Sequence, residues 1–165
     1  MICGETVLSK TIDNKPLQDA SWVALSNLAK EILDPTYEKF GEIHLTYGFC
    51  SQNLSKKINK NIYPSLDQHS CMEVDSKGKI ICSRGGAAVD FRVSKNSSLD
   101  IARWIVSNLS YDRLYYYGKA LPIHVSCSEE PSGSIVLMPR GMSSGKRVPK
   151  KINPNKFLEM ASVDF

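Results

Sequence analysis

Two spacings of apolar residues alternate along the chain. From Leu17 to Leu33 the positions Trp22, Val23, Leu25, Leu28, Ala29, Ile32 and Leu33 return every three or four residues, the spacing of one buried helical face. Asp19 or Ser21 is placed to cap this helix and Pro35 to end it. After a turn through Tyr37 and Phe40, Gly41 marks a change of period. Ile43, Leu45 and Tyr47 then alternate with Glu42, His44 and Thr46, which predicts a strand. Ser51 to Ile58 is polar and compatible with a short helix capped by Ser51, and residues 5–12 alternate loosely as a short edge strand.

Residues 59–85 carry no sustained period and read as a long functional loop. Ala87 to Val93 is a short apolar strand interrupted by Asp90 and Arg92. Ser98 or Asp100 opens a helix through Ile101, Ala102, Trp104, Ile105 and Leu109. Three strand-like runs follow, Leu114–Tyr117, Ile123–Ser126 and Ile135–Met138, with turns at Gly118 and at Pro131-Ser132-Gly133. This order predicts an α+β fold, a small antiparallel sheet ending in a meander with helices on one side. No repeat or linker interrupts residues 1–165, so the chain reads as a single domain.

Composition narrows the setting. The apolar fraction is 42%, and no run approaches the ~18–20 apolar residues of a membrane span. Met1-Ile2-Cys3-Gly4-Glu5 has neither a basic nor an apolar leader region, so a cytoplasmic protein with no membrane partner is expected. Five scattered cysteines without a Cys-x-x-Cys pair fit reduced thiols. The net charge of +4 is uneven: between Arg140 and Lys156 lie six cations and no acid. That basic C-terminal segment, 140–156, is either a solvated tail or a surface for a nucleotide or nucleic acid, with Arg140, Lys146, Arg147 and Lys150 as its anion-binding candidates. Gly141-Met142-Ser143-Ser144-Gly145-Lys146 is one residue too short between its glycines for a phosphate loop, and no helix pattern follows it.

The candidate chemistry lies in three histidines and one strand acid. An acid inside a buried strand is costly unless it meets a cation or another partner, which makes Asp90 conspicuous. His69 in the long loop and His124 in a later strand complete a two-His, one-carboxylate set of the kind that binds zinc with a position left open. The plain alternatives are a core histidine and a salt-bridged aspartate. Gly85, Gly86, Ala87 and Ala88 are small enough for close backbone approach. His44 reads as structural or solvent-facing, and Cys71 as a free loop thiol or a soft ligand.

Three segments together resemble the Hedgehog/DD-peptidase fold of zinc D-alanyl-D-alanine carboxypeptidases and phage lysins. They are Thr46-Tyr47-Gly48-Phe49-Cys50-Ser51 with Asn53; Gln68-His69 and, after an insertion, Gly86-Ala87-Ala88-Val89-Asp90; and Leu121-Pro122-Ile123-His124. The resemblance covers roughly residues 20–128. It implies Zn²⁺ on His69, Asp90 and His124, provided residues 70–84 loop out, since the compact motif would otherwise put Ser83 in the ligand position. It also implies a phage or bacterial hydrolase acting on a small peptide or a peptidoglycan-derived substrate. Two positions depart from the pattern: Leu121 stands where the family has its general base, and Cys50 where it has an arginine. Tyr47, Arg84 and Glu73 are the substitutes at hand for catalytic work, with Glu129 and Glu130 following His124. The second expectation is a metal-bearing protein without peptidase chemistry that holds a nucleotide or nucleic acid through the basic segment.

Overall fold

A computed structural model describes residues 12–57, 63–141 and 145–161. The expected edge strand at 5–12 lies outside them except for Ile12. Helix α1 (Asp19–Leu28) runs through one π turn (Ala29–Leu33) into α2 (Asp34–Phe40), and Gly41 closes the run at φ +83°. Pro35 therefore does not end the helix. It sits in the first turn of α2, where a missing N–H costs little, and the π turn lets the Asp34 N–H reach back to the Ala29 carbonyl. The Tyr37–Phe40 turn is thus the last part of α2.

Neither Asp19 nor Ser21 caps α1 as expected; Gln18 holds the N-cap position without a side-chain bond. A carboxylate from the long loop does the work instead. Oε1 of buried Glu73 accepts from the Leu17 N–H at 2.9 Å, the Gln18 N–H at 3.1 Å and the Ser21 hydroxyl at 2.8 Å. An acid at the positive end of a helix satisfies orphan N–H groups and complements the helix dipole together.

Strand β1 (Ile43–Tyr47) follows, then α3 (Gln52–Ser55), whose cap Ser51 accepts from the Leu54 N–H at 3.2 Å as expected. Beyond the short α4 (Pro64–Asp67), residues 68–86 form the irregular excursion, within which Val74 and Ile80 form an isolated bridge. Strand β2 (Ala87–Val93) leads to α5 (Ser98–Asn108), capped by Ser97 through the Asp100 N–H at 3.2 Å. Then come β3 (Arg113–Tyr116), β4 (Ile123–Cys127) and β5 (Ser134–Leu137). Two further elements arise in the basic segment: β6 (Lys150–Ile152) and α6 (Pro154–Glu159). That stretch is therefore no solvated tail.

The sheet has six strands in the order β1-β2-β4-β3-β5-β6, and it is mixed. The small antiparallel meander is corrected at β5, which pairs parallel to β3. After β4 the chain crosses the start of β3 and descends on its far side. Asp112 holds that crossing, accepting from the Ser132 N–H at 3.0 Å on its side chain and from the Ser132 hydroxyl at 2.8 Å on its carbonyl.

Alternate residues of the sheet face opposite ways. Val89, Phe91, Leu114, Tyr116, Ile123, Val125, Ile135 and Leu137 form one buried face, packed with Leu25, Leu28 and Ile32, with Leu99, Ala102 and Ile105 of α5, and with Phe157 of α6. Trp22 and Val23, though in helical phase with the core positions, are exposed. The opposite face carries Asp90, His124 and Tyr115. Among the described residues no helix is long and apolar enough to cross a membrane.

Candidate metal centre

Asp90 of β2 and His124 of β4 are direct cross-strand partners, as are His124 and Tyr115 of β3. All three therefore rise from the face away from α1, α5 and α6. His69 reaches them from the loop. Its carbonyl accepts from the Cys50 N–H at 2.9 Å and its N–H donates to Oδ1 of Asp67 at 3.3 Å. The neighbouring Gln68, left-handed at φ 60°, donates from Nε2 to the Gly85 carbonyl at 2.8 Å. Residues 70–84 do loop out, and His69 thereby stands beside Asp90.

Nδ1 of His124 lies 2.8 Å, and Nε2 of His69 3.3 Å, from Oδ1 of Asp90. One ligand atom from each residue falls within 4.8 Å of the others. Ligands at about 2.0–2.1 Å around a tetrahedral ion stand about 3.3 Å apart, so the spacing fits a small cation with little movement. Two imidazole nitrogens and a carboxylate oxygen are also the donor set such an ion takes. The residues present can hold a metal ion.

Exposure gives the site a direction. The His69 and His124 side chains are 3% and 2% exposed, whereas Asp90 is 25% exposed, so the group opens to solvent on the carboxylate side. Tyr47 packs edge-on against His69, with ring centroids 4.6 Å apart at 87°. Tyr115 stacks on His124 at 4.6 Å and 15°. Aromatic walls on both imidazoles fix the ring planes and keep water from their backs.

The charges are mutually dependent. Burial opposes a charge on Asp90, but the imidazoles, His69 foremost, outweigh it and hold the carboxyl well below the usual carboxylate range. Burial likewise opposes protonation of His69, and the Asp90 carboxylate, with Asp67 and the Gly48 carbonyl, raises its pKa nonetheless. Tyr117 is pushed up by burial, then by Asp90, Tyr115 and Asp67, with Arg147 opposing. It stays a neutral hydrogen-bond donor.

The other expected site residues fall in different places. Tyr47 borders the group, and Arg84 reaches it through Tyr115, its Nη1 lying 3.5 Å from the hydroxyl while also donating to the Leu66 carbonyl. Glu73 is committed to the N-terminus of α1. Cys50 is buried with Tyr47 and Leu54 and supplies no cation. Cys71 is a buried free thiol outside the His-Asp-His group. His44 is exposed, with Nε2 2.6 Å from the Ser94 hydroxyl. Glu129 and Glu130 line a cleft of about 840 Å³ that Arg84, Gly85 and Gly86 also border.

Of the basic segment, Arg147 packs on Tyr117. Its guanidinium lies 5.4 Å from the centre of the Tyr117 ring, and Nη1 donates to the Met138 and Tyr117 carbonyls at 2.6 and 3.2 Å. Arg140 pairs with Arg147 in an isolated bridge and donates to the Gly145 carbonyl at 3.2 Å. Lys150 is an exposed residue of β6 and Lys146 is exposed beside Arg147. Sequence reasoning passed over Asp67 and Tyr117. The only signal for Tyr117 was its two-residue offset from Tyr115, and for Asp67 its place two before His69. Compared with family models, curated proteins and solved structures, the chain finds no match.

Proposed function

We propose that the chain is a zinc-dependent hydrolase resembling the D,D-carboxypeptidases of the Hedgehog/DD-peptidase fold, cleaving a peptide or amide bond. The observation that carries this reading is the convergence of two buried imidazoles on one carboxylate that alone reaches solvent. His69, Asp90 and His124 would hold Zn²⁺, which when bound supplies Lewis acidity to a carbonyl and to water. Tyr47 and Tyr115 hold the imidazole planes. Leu121 takes no proton, and its carbonyl is engaged by the Ser98 hydroxyl. The acid besides Asp90 that acts on His69 is Asp67, which makes it the candidate for proton transfer at the mouth. The substrate class is a small peptide, a peptidoglycan fragment under the resemblance, met in the cytoplasm.

The test has two stages. Metal content of the purified protein, against His69→Ala and His124→Ala, should read one zinc per chain in the wild type and little in either variant. D-alanine release from muropeptides should then be abolished by chelation and restored by zinc. Metal-free wild-type protein that gains nothing from added zinc sinks the reading. Metal binding without hydrolysis leaves the second reading, a metal-bearing protein that binds a nucleotide or nucleic acid, which Leu121 and the cations near Arg147 favour.

A further inference from the structure

A hollow of about 530 Å³ opens where three segments meet: β1, the end of β2 with the turn after it, and the turn between β3 and β4. That is room for a small ligand. Its charge-bearing lining is His44, Arg92 and Lys119, and among the described residues no carboxylate lines it. Thr46, Ser94, Asn96 and Ser98 add hydroxyl and amide groups. Arg92 follows Asp90 by two residues on β2 and projects from the same sheet face. None of His69, Asp90 and His124 borders the hollow, however, so it is separate from the metal group.

Backbone pairing holds these residues together. His44 and Arg92 are direct cross-strand partners, and the Ser94 hydroxyl lies 2.6 Å from Nε2 of His44. The turn that carries Lys119 is stapled to the start of α5. There the Ser98 N–H donates to the Lys119 carbonyl at 3.0 Å, and the Ser98 hydroxyl donates to the Leu121 carbonyl. Ser98 is the first residue of α5, so the positive end of an 11-residue helix also borders the hollow. The nearby acids leave this charge uncompensated. Asp100 accepts from the Ser97 hydroxyl at 2.7 Å, and Glu42, 80% exposed, lies 4.0 Å from Nε2 of His44. The Arg92 side chain makes no hydrogen bond or ion pair among the described residues. A guanidinium fork, an ammonium and an imidazole around one hollow match the oxygens of a tetrahedral dianion.

We infer that His44, Arg92 and Lys119 form a phosphate-binding pocket whose ligand is a small phosphomonoester. Its phosphate meets the cations and the remaining space takes the organic body. A monoester fits better than a diester because it brings two charges to the two permanent cations. The pocket lies beyond the hydrolase reading and needs no metal, which keeps the two separately testable.

Full-length protein, as purified and again after chelation, is titrated with inorganic phosphate at constant ionic strength while its amide and arginine Nε–H resonances are followed. Phosphate should shift the Ser94 and Asn96 amides and the Arg92 Nε–H with one shared dissociation constant, the same in both preparations. Dimethyl phosphate, a singly charged diester, should bind at least about tenfold more weakly. Arg92→Gln and Lys119→Gln should each weaken phosphate binding roughly tenfold, as loss of a hydrogen bond to a charged group does. Arg92→Lys should retain part of the affinity, separating a lost contact from a lost fold. Lys150→Gln, on β6 at the other edge of the sheet, should change nothing. Shifts that do not saturate, binding that disappears on chelation, a diester bound as tightly as phosphate, or equal weakening by Lys150→Gln would each overturn the inference. Phosphate binding by protein that takes up no zinc sinks the hydrolase reading and leaves the pocket standing; zinc uptake without phosphate binding does the reverse.

Discussion

Tyr47 stands opposite Asp90 across β1 and β2 because Thr46 is the extra residue of a bulge. Leu45 pairs with Phe91, and the next partner, Asp90, meets Tyr47 rather than Thr46. A strict two-residue alternation would have kept Tyr47 on the side of Ile43 and Leu45. One additional residue turns the ring to the metal-binding face, a common use of bulges beside functional sites.

The ring, not the hydroxyl, is what His69 meets, edge-on at 4.6 Å. Tyr47→Phe should therefore keep zinc affinity close to wild type. Tyr47→Ala should weaken it roughly tenfold or more, the usual cost of losing a group that orients a ligand. Competition with a chromophoric chelator measures both. Equal loss in the two variants would move the role to the hydroxyl.

Local signals carried much of the fold. The runs at 87–93 and 123–126 became β2 and β4 because each has its own apolar period, and Asp90 was conspicuous because a strand acid needs a partner. Other features depend on contacts distant in sequence. The Thr46 bulge is visible only against β2, and Glu73 caps a helix 52 residues before it through Ser21. The strand Lys150–Ile152 hides in a basic run because it is an edge strand pairing on one side only, with β5. Pro35 misled because proline ends a helix only when its turn cannot rearrange, and here a π turn does so.

The pH dependence of zinc binding follows from His69. Its pKa in the folded, metal-free protein lies above the ordinary value, so a proton must leave before the ring can ligate. Affinity should be flat at high pH and fall about tenfold per pH unit below a break above ~6.5. The metal-free protein should behave oppositely. His69's raised pKa contributes stability present below ~6.5 and lost as pH rises through the folded value; Asp90's depressed one contributes above ~3.9 and is lost in stronger acid. Urea unfolding after chelation should thus show this pair's contribution greatest between those limits, and a stability rising from pH 6 to 8 would contradict it.

Glu73 should prove structural. Removing its carboxylate in Glu73→Ala strands the Leu17 and Gln18 N–H groups and the Ser21 hydroxyl, which also accepts from the Met72 N–H at 3.1 Å. The expected loss is about 2–3 kcal/mol in urea unfolding, with zinc stoichiometry unchanged. Glu73→Gln keeps an acceptor but not the charge at the helix end, and should lose less. Loss of hydrolysis in Glu73→Gln at undiminished stability and zinc content would return Glu73 to the catalytic machinery.

Two glycines with similar backbone angles should respond very differently to alanine. Gly133 sits at φ +60° with nothing within 4 Å of an added Cβ, so Gly133→Ala should cost only the left-handed penalty of about 1–2 kcal/mol. Gly86, at φ +79°, would place its Cβ 1.9 Å from the Cys127 carbonyl oxygen, a backbone atom of β4. Accommodation requires β2 and β4 to separate near the Ala87–Cys127 pair, three residues from the Asp90–His124 pair. Gly86→Ala should lose more than about 3 kcal/mol, and where the fold survives, its zinc affinity should fall because His124 no longer meets Asp90. Unfolding curves with a zinc titration separate these effects; unimpaired zinc binding in Gly86→Ala would mean that the close approach of the strands does not set the metal geometry.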